Sequence, residues 1–482
     1  MYAKCGYISE AGFIFKKMSM RTTVSWNAMI GAYIEHGFDQ EGLNCFDQMY
    51  SDGCAHNPVT LACVLKACTN LNVCHRGKEI HIEMMQKGFE REIVLCSRLV
   101  DVYAKNGLME EAWATSCELP FRDVILWNTL ISGYAEQDPG SKMLECMEKM
   151  QLEGVSPNNI TFANMLKGCF ICESLDKCLM PLHIEIIMRG FEEDVFVGSI
   201  LVDMYVKHGS LLEAKIIFDR LLSKNIVSWT ALISGYAEYG FNQEALQCFY
   251  QSECQGISPN SVMFASALKA CNNTGCIKQG QNLHTKIIEK GFDHEVLLGN
   301  TLIDIYAKGC SLEEAYKVFQ RMPNRTVESW NAMIKGYGMN EEGKMAIQLF
   351  KEMLDNEVQP NDITYTCILS ACSHGSLVSE ARAIFEIFNK RYNNIPPLDT
   401  YACMVDVLAR SGNLHEAEKL LKTVPCSPSL DMWFALFSAC KTHEDVDVGY
   451  RCFEQLKNMN SKYDAPYLHF RDVYECAQVS QG

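Results

Sequence analysis

His81-Ile-Glu83 and His183-Ile-Glu185 are the residues most suggestive of bond-breaking chemistry in this chain. A histidine ligand with a carboxylate two positions on is half of the signature that activates a zinc-bound water against a nucleobase. The other half, two cysteines three apart behind a proline, does not occur. The C-x-x-C pair is Cys169 and Cys172, with Gly168 before it. A third histidine, His284, continues the series at the same interval, and there the phrase becomes His-Thr-Lys. The series is therefore expected to be a packing position, with no metal bound. No Walker loop, dinucleotide glycine fingerprint or nucleophile elbow occurs either. The sequence predicts a chain that is not an enzyme, with no cofactor and no small-molecule substrate.

The interval itself is the stronger signal. Trp26, Trp127, Trp229, Trp330 and Trp433 are spaced 101–103 residues apart. Lys4, Lys105, Lys207, Lys308 and Arg410 keep the same spacing, as do Cys68, Cys169, Cys271 and Cys372. Chance does not phase rare residues over a whole chain. A period near a hundred is too long for one supersecondary unit, and it divides into three.

The first unit type covers 23–57, 124–158, 226–260 and 327–361, opening on VSWNAMIGAY, VILWNTLISGY, IVSWTALISGY and VESWNAMIKGY. The second covers 58–92, 159–194, 261–295 and 362–397. The third covers 93–123, 195–225, 296–326 and 398–429, with the phrases LVDVYAKNG, LVDMYVKHG and LIDIYAKGC. Each reads as a helical hairpin. Trp26, Met29, Ile30 and Tyr33 form one apolar stripe, and Leu43, Phe46 and Met49 form the next after Gly37. Gly88, Gly190 and Gly291 stand where a left-handed helix cap is expected. Ser210 with Glu213, and Ser311 with Glu314, have capping-box spacing. Trp113, out of phase on a second helix, is expected to pack. Helices this short are marginal alone, so they must stack.

Net charge is −16, with 43 basic and 59 acidic residues, which excludes a generally adhesive phosphate binder. Apolar content of 48% supports a continuous core. The 24 cysteines include one helical site per period, which reads as a small buried hydrophobe in a reducing compartment rather than a disulfide framework. No run is apolar and long enough to span a membrane, and no signal peptide is visible. The opening MYAKCG matches the interior of later third-type units, so residues 1–22 are expected to be a partial repeat lacking its first helix.

These phrases resemble the pentatricopeptide-repeat proteins of land plants. The three interleaved unit lengths, with VSWNAMI, VLKAC…GKEIH and LVDVYAKNG…EEA, are similar to the PLS subclass. The resemblance covers 23–429 as tandem repeats. Residues 430–482 are similar to an incomplete E-type extension, through DMWFALFSACKTHEDVDVGYRCFEQL and then YLHFRDVYECAQ. It implies an all-α, right-handed superhelical solenoid of about thirteen helix-turn-helix units.

The resemblance also implies binding of single-stranded organellar RNA, one base per repeat. The residue after the tryptophan would meet the base, and the last residue of the unit would brace it. The implied pairs are Asn27/Asn57, Ser97/Asp123, Asn128/Asn158, Ser199/Asn225, Thr230/Asn260, Asn300/Thr326 and Asn331/Asn361. By family tendency they read 5′-Y-n-G-Y-n-A-A-n-n-Y-3′, with Ala62, Ala163 and Ala265 marking spacer units. Lys4, Lys105, Lys207, Lys308 and Arg410 would meet phosphates or form a solvated face. The function implied is site recognition for C-to-U RNA editing in a mitochondrion or chloroplast, with a separate DYW-type deaminase and accessory editing factors as partners. RNA binding for splicing, stability or translation is the alternative, and a protein-binding helical scaffold is the alternative of another class.

Overall fold

The structure, a computed structural model, describes residues 2–137, 140–171, 175–391, 397–424 and 428–459. Among them every regular element is helical. The chain divides into two compact units, Met1–Leu232 and Ile233–Gly482. The first holds a short 3-10 helix (Tyr2–Cys5), then α1 (Ile8–Lys17), α2 (Thr23–Glu35), α3 (Asp39–Ser51), α4 (Pro58–Leu71), α5 (Cys74–Lys87), α6 (Ile93–Lys105), α7 (Met109–Cys117), α8 (Val124–Gln137), α9 (Ser141–Leu152), α10 (Asn159–Ile171), α11 (Leu175–Met188), α12 (Val195–Lys207) and α13 (Leu211–Arg220). The division falls inside α14 (Ile226–Glu238). The second unit continues with α15 (Asn242–Cys254), α16 (Ser261–Thr274), α17 (Ile277–Glu289), α18 (Val296–Lys308), α19 (Leu312–Arg321), α20 (Val327–Met339), α21 (Gly343–Asp355), α22 (Asp362–His374), α23 (Val378–Arg391), α24 (Leu398–Arg410), α25 (Leu414–Thr423), α26 (Leu430–Thr442) and α27 (Val446–Met459).

Within each unit the even-numbered helices pack side by side, α2 to α12 in the first and α16 to α26 in the second. Odd-numbered helices pack on the even helices before and after them. The backbones of α25 and α27 also approach each other, while other odd helices meet through side chains, as Arg76 of α5 does with Asp47 of α3 and Lys286 of α17 with Glu253 of α15. The result is two layers, an even-helix layer tightly apposed and an odd-helix layer more open. Small residues permit the tight apposition. A Cβ built on Gly338 of α20 would lie 2.7 Å from the Cβ of Ala371 in α22.

The phased tryptophans anchor the core between layers; all five are buried. Phe15, Phe218 and Phe319, from the preceding odd helix, meet Trp26, Trp229 and Trp330 edge-on at 4.7, 4.6 and 4.8 Å. In α7 the equivalent of these phenylalanines is Ser116. Trp113, one turn earlier, lies 6.0 Å from Trp127 and covers it instead. The out-of-phase tryptophan thus fills the gap left by a missing ring, as packing demands. Cys68, Cys169, Cys271 and Cys372 are buried. Burial pushes the thiols of Cys68, Cys271 and Cys372 up to about 12, so they remain uncharged and inert. Cys172 lies outside the described residues, as does the sequence expectation for 464–482. No helix among the described residues is long and apolar enough to cross a membrane.

The helix ends answer the sequence in two ways. Gly88, Gly190 and Gly291 adopt φ of 72, 77 and 75°, the left-handed caps expected of them. The capping boxes at Ser210 and Ser311 do not form. Both serines sit at ψ near 60°, outside the extended region an N-cap uses, and the Ser311 hydroxyl donates back to the Gly309 carbonyl. Glu314 pairs with Lys317 instead. In the last hairpin, Arg451 of α27 grips the buried Glu418 carboxylate of α25 through two hydrogen bonds of 2.9 and 2.8 Å. With Lys422 this holds Glu418 down to about 2.

His81, His183 and His284 pack as the phase suggested. Each Nδ1 lies 2.8–2.9 Å from a tyrosine hydroxyl of the next even helix, Tyr103, Tyr205 and Tyr306. In α23 the same place is filled by Phe385, 5.5 Å from Tyr401. Among the described residues no cluster of histidine, cysteine and acids is arranged to hold a metal. Burial holds all three imidazoles below the ordinary histidine range, so the folded chain keeps them neutral. The unfolded chain protonates them near about 6.5. Their contribution to stability is complete above that value and is lost as pH falls toward the lowered folded values. Replacing all three with phenylalanine should flatten the loss of stability between about pH 6.5 and 5, measured by urea unfolding, against a falling wild type.

Candidate nucleic-acid interface

The polar residue after Trp26, Trp127, Trp229 and Trp330 lies on an even helix, at its fifth position. In three places one arrangement recurs around it. Asn27 Nδ2 donates to Asn57 Oδ1 at 3.0 Å, Asn128 to Asn158 at 3.2 Å, and Asn331 to Asn361 at 3.2 Å. Asn57, Asn158 and Asn361 are also the N-caps of α4, α10 and α22. Their Oδ1 atoms accept from the backbone N–H of Thr60, Thr161 and Thr364 at 3.0 Å. The threonine hydroxyl closes the junction: Thr60 and Thr161 Oγ1 lie 2.6 Å from Asn27 and Asn128 Oδ1. These threonines were not singled out by the sequence reading, although they recur three residues beyond Asn57, Asn158 and Asn361. The bracing fixes which way each amide points. At Asn27 and Asn128 one Nδ2 proton and one Oδ1 lone pair remain for a ligand, whereas the Asn331 Oδ1 is buried and leaves its Nδ2 proton.

The other pairs differ. Ser199 Oγ lies 3.1 Å from Asn225 Oδ1 and also donates to the Val195 carbonyl. Ser97 and Asp123 are not joined by a hydrogen bond among the described residues. The Ser97 hydroxyl donates to the Ile93 carbonyl at 2.7 Å, and the Asp123 carboxylate caps α8 through Leu126 N–H at 2.8 Å. Asn300 and Thr326 are likewise apart: Thr326 forms a capping box with Ser329, and the buried Oδ1 of Asn300 has no protein partner among the described residues. Thr230 donates to the Ile226 carbonyl in the first unit, and Asn260 caps α16 in the second. The terminal residues are thus N-caps throughout, whether or not they brace a neighbour.

A second series flanks the first. Three residues before each fifth position stand Val24, Val59, Val94, Ile125, Ile160 and Phe196, which are between 49% and 77% exposed. In the second unit Val262, Leu297 and Ile363 hold the same place and are exposed too. The sequence reading passed over them because apolar residues read as core; the helical offset from the buried tryptophan stripe is the signal that separates them. Successive members wall slots between neighbouring even helices. The slot at Asn128, about 320 Å³, is bounded by Ile125 and Ile160, with Asp101, Lys105, Glu136 and Asn164 around it. The slot at Ala62, about 480 Å³, is bounded by Val59 and Val94 in the same manner.

The phased basic residues do not form a purely cationic strip. Lys207 pairs with Asp203 at 2.9 Å and Arg410 with Asp406 at 3.0 Å, each one helical turn away. Lys105 shares its slot with Asp101 and Glu136. Burial raises the Asp304 carboxyl while Lys335 and Lys308 beside it act to lower it. Lys4 lies in the opening 3-10 helix, and its side chain is outside what the structure describes.

Profiles of known repeats match along the chain. The PPR repeat matches residues 24–54, 94–115, 300–327, 363–391 and 399–424; the PPR repeat family matches 122–170 and 325–374; the pentatricopeptide repeat domain matches 189–274. The chain belongs to the pentatricopeptide-repeat family. A mitochondrial pentatricopeptide repeat-containing protein of Arabidopsis thaliana is 32% identical over 478 residues, covering 98% of this chain and 69% of its own length. A chloroplastic one from the same plant is 30% identical over 481 residues, covering 99% and 59%. Across such relatives the chain spans 47% to 69% of their length. The crystal structure of the maize pentatricopeptide repeat protein PPR10 matches with a TM-score of 0.63 at 17% identity, over 100% of this chain and 82% of that one. PPR10 in complex with an 18-nt psaJ RNA element matches at 0.55 and 15% identity, over 99% and 86%. At these identities the likeness shows the fold, an all-α repeat solenoid.

Every bond made by the side chain of a bracing asparagine uses its Oδ1. Asn158→Ala should therefore lower stability by about 1 kcal/mol through loss of the cap, whereas Asn158→Asp should retain most of it. Urea unfolding of the two variants checks the order.

Proposed function

We propose that this chain binds single-stranded RNA of a plant organelle, base by base, and catalyses no reaction itself. The observation that carries the reading is the slot: a braced polar side chain at its floor, with exposed aliphatic walls contributed by two successive helices. A flat base can place its faces against the walls, removing their apolar surface from water, and its edge against the amide. The amide atoms left over at Asn27 and Asn128 are one donor beside one acceptor, which suits the O2/N3 and N4 or O4 edges of pyrimidines, and Asn331 offers the donor. The RNA-bound form of the similar solenoid PPR10 supports the reading, and the organellar names of the relatives support the compartment.

More narrowly, the three alternating unit types favour the PLS subclass, and α26 with α27 would be the start of its E-type extension. The chain then selects a cytidine for C-to-U editing, and a separate DYW-type deaminase with accessory factors performs the chemistry. The second reading, a protein-binding scaffold, draws on the mixed charge of the even-helix layer and on the N-cap role, which by itself accounts for the terminal Asn and Asp residues.

Capture and sequencing of RNA on the purified chain separates the two readings. Enrichment of the order Y-n-G-Y-n-A-A-n-n-Y is expected, and the scaffold reading predicts no enrichment. Asn128→Thr should shift the fourth position from pyrimidine toward adenine by about tenfold, leaving its neighbours unchanged. Replacing Lys105, Lys207 and Lys308 with Gln should flatten the salt dependence of binding by up to about two units of slope. An unchanged slope would assign these residues to a solvated face and to pairing within their own helices.

A further inference from the structure

The Ala62 slot looks like a spacer because alanine offers a base no hydrogen bond. Its walls say otherwise. It is built in the same way as the slot at Asn128, position for position. Val59 stands for Ile125, Val94 for Ile160, and Arg98 of α6 for Asn164 of α10. In the Asn128 slot this last position touches the reading residue, since Asn164 Nδ2 lies 3.3 Å from the Asn128 carbonyl. Arg98 is exposed, and no hydrogen bond or ion pair of its guanidinium occurs among the described residues. The same helical place holds Ile200 in α12, Thr301 in α18 and Cys403 in α24, so the guanidinium is peculiar to this junction.

The slot is also the roomier of the two, about 480 against 320 Å³, with alanine in place of asparagine on its floor. It presents Arg98 and Lys66 as donors, and Glu35 and Glu92 as acceptors. A base filling it must be large and must offer adjacent acceptors on one edge and donors on another. Guanine has O6 and N7 side by side, matching the fork of an arginine, and N1–H and N2–H₂ for a carboxylate. Adenine sets a donor beside N7, which opposes a guanidinium.

We infer that the Ala62 slot selects guanine, with Arg98 from the following unit supplying the contact that Ala62 lacks. This rests on the RNA-binding reading above and changes its second letter, from Y-n-G-Y to Y-G-G-Y.

The test uses the full chain and ten-nucleotide RNAs of the order above, in three sets of four that vary the base at the second, the third or the fourth position alone. In the second-position set, wild type should bind the guanine form about tenfold more tightly than the other three. Arg98→Ile should level the four affinities while keeping the pyrimidine preference at the fourth position, which reports that the fold and the neighbouring slots are intact. Arg98→Lys should lose the preference as well, since it keeps the charge but not the fork. Equal weakening of all four RNAs by Arg98→Ile would make Arg98 a phosphate contact and overturn the assignment. So would a wild type that discriminates at the third and fourth positions but not the second; that result leaves the broader reading standing. A wild type that binds none of the RNAs removes both.

Discussion

The side-chain N-cap that recurs at the unit junctions before α4, α8, α10, α14, α16 and α22 is the interaction on which the rest depends. A helix of three or four turns begins with backbone N–H groups that nothing in the helix can satisfy. Here the last side chain of one unit satisfies them for the next, at Asn57, Asn158 and Asn361, and by variants at Asp123, Asn225 and Asn260. The same oxygen also receives the amide of the preceding even helix at Asn27, Asn128 and Asn331. One atom therefore starts a helix, ties two helices together and orients the amide proposed to meet a base. Were the cap lost, the helix start and the geometry of the slot would loosen together.

Much of this was legible in the residues. The tryptophan phase located the core, and the glycine positions located the left-handed turns. What misled was reading a spacing without its backbone. Ser210 and Ser311 have the partner three residues on that a capping box requires, yet the tight turn before them sets ψ near 60° and turns the hydroxyl away. Val24 and its equivalents were invisible for the opposite reason: valine in an amphipathic helix is ordinarily interior, and only its angular offset from Trp26 shows that it faces outward. The lysine series was read alone, whereas Asp203 and Asp406 stand one turn before Lys207 and Arg410, a pairing that sequence spacing already contained.

That pairing reconciles the acidic balance of the chain with the RNA binding proposed for it. A uniformly basic layer would hold any polyanion with little regard to sequence. Alternating carboxylates and ammoniums reduce the long-range pull and leave short-range contacts to decide affinity. In such an arrangement selectivity depends on how well the slots are shaped, and shape is what the braced amides and aliphatic walls provide.

The substitution of Ser116 for the usual phenylalanine, answered by Trp113 a turn away, bears on how such arrays diverge. The aromatic contact survives although the ring comes from a different residue of the helix. A lineage can thus exchange which position carries a core contact while its outward-facing positions stay in register, so the slot residues and the scaffold beneath them are free to drift independently.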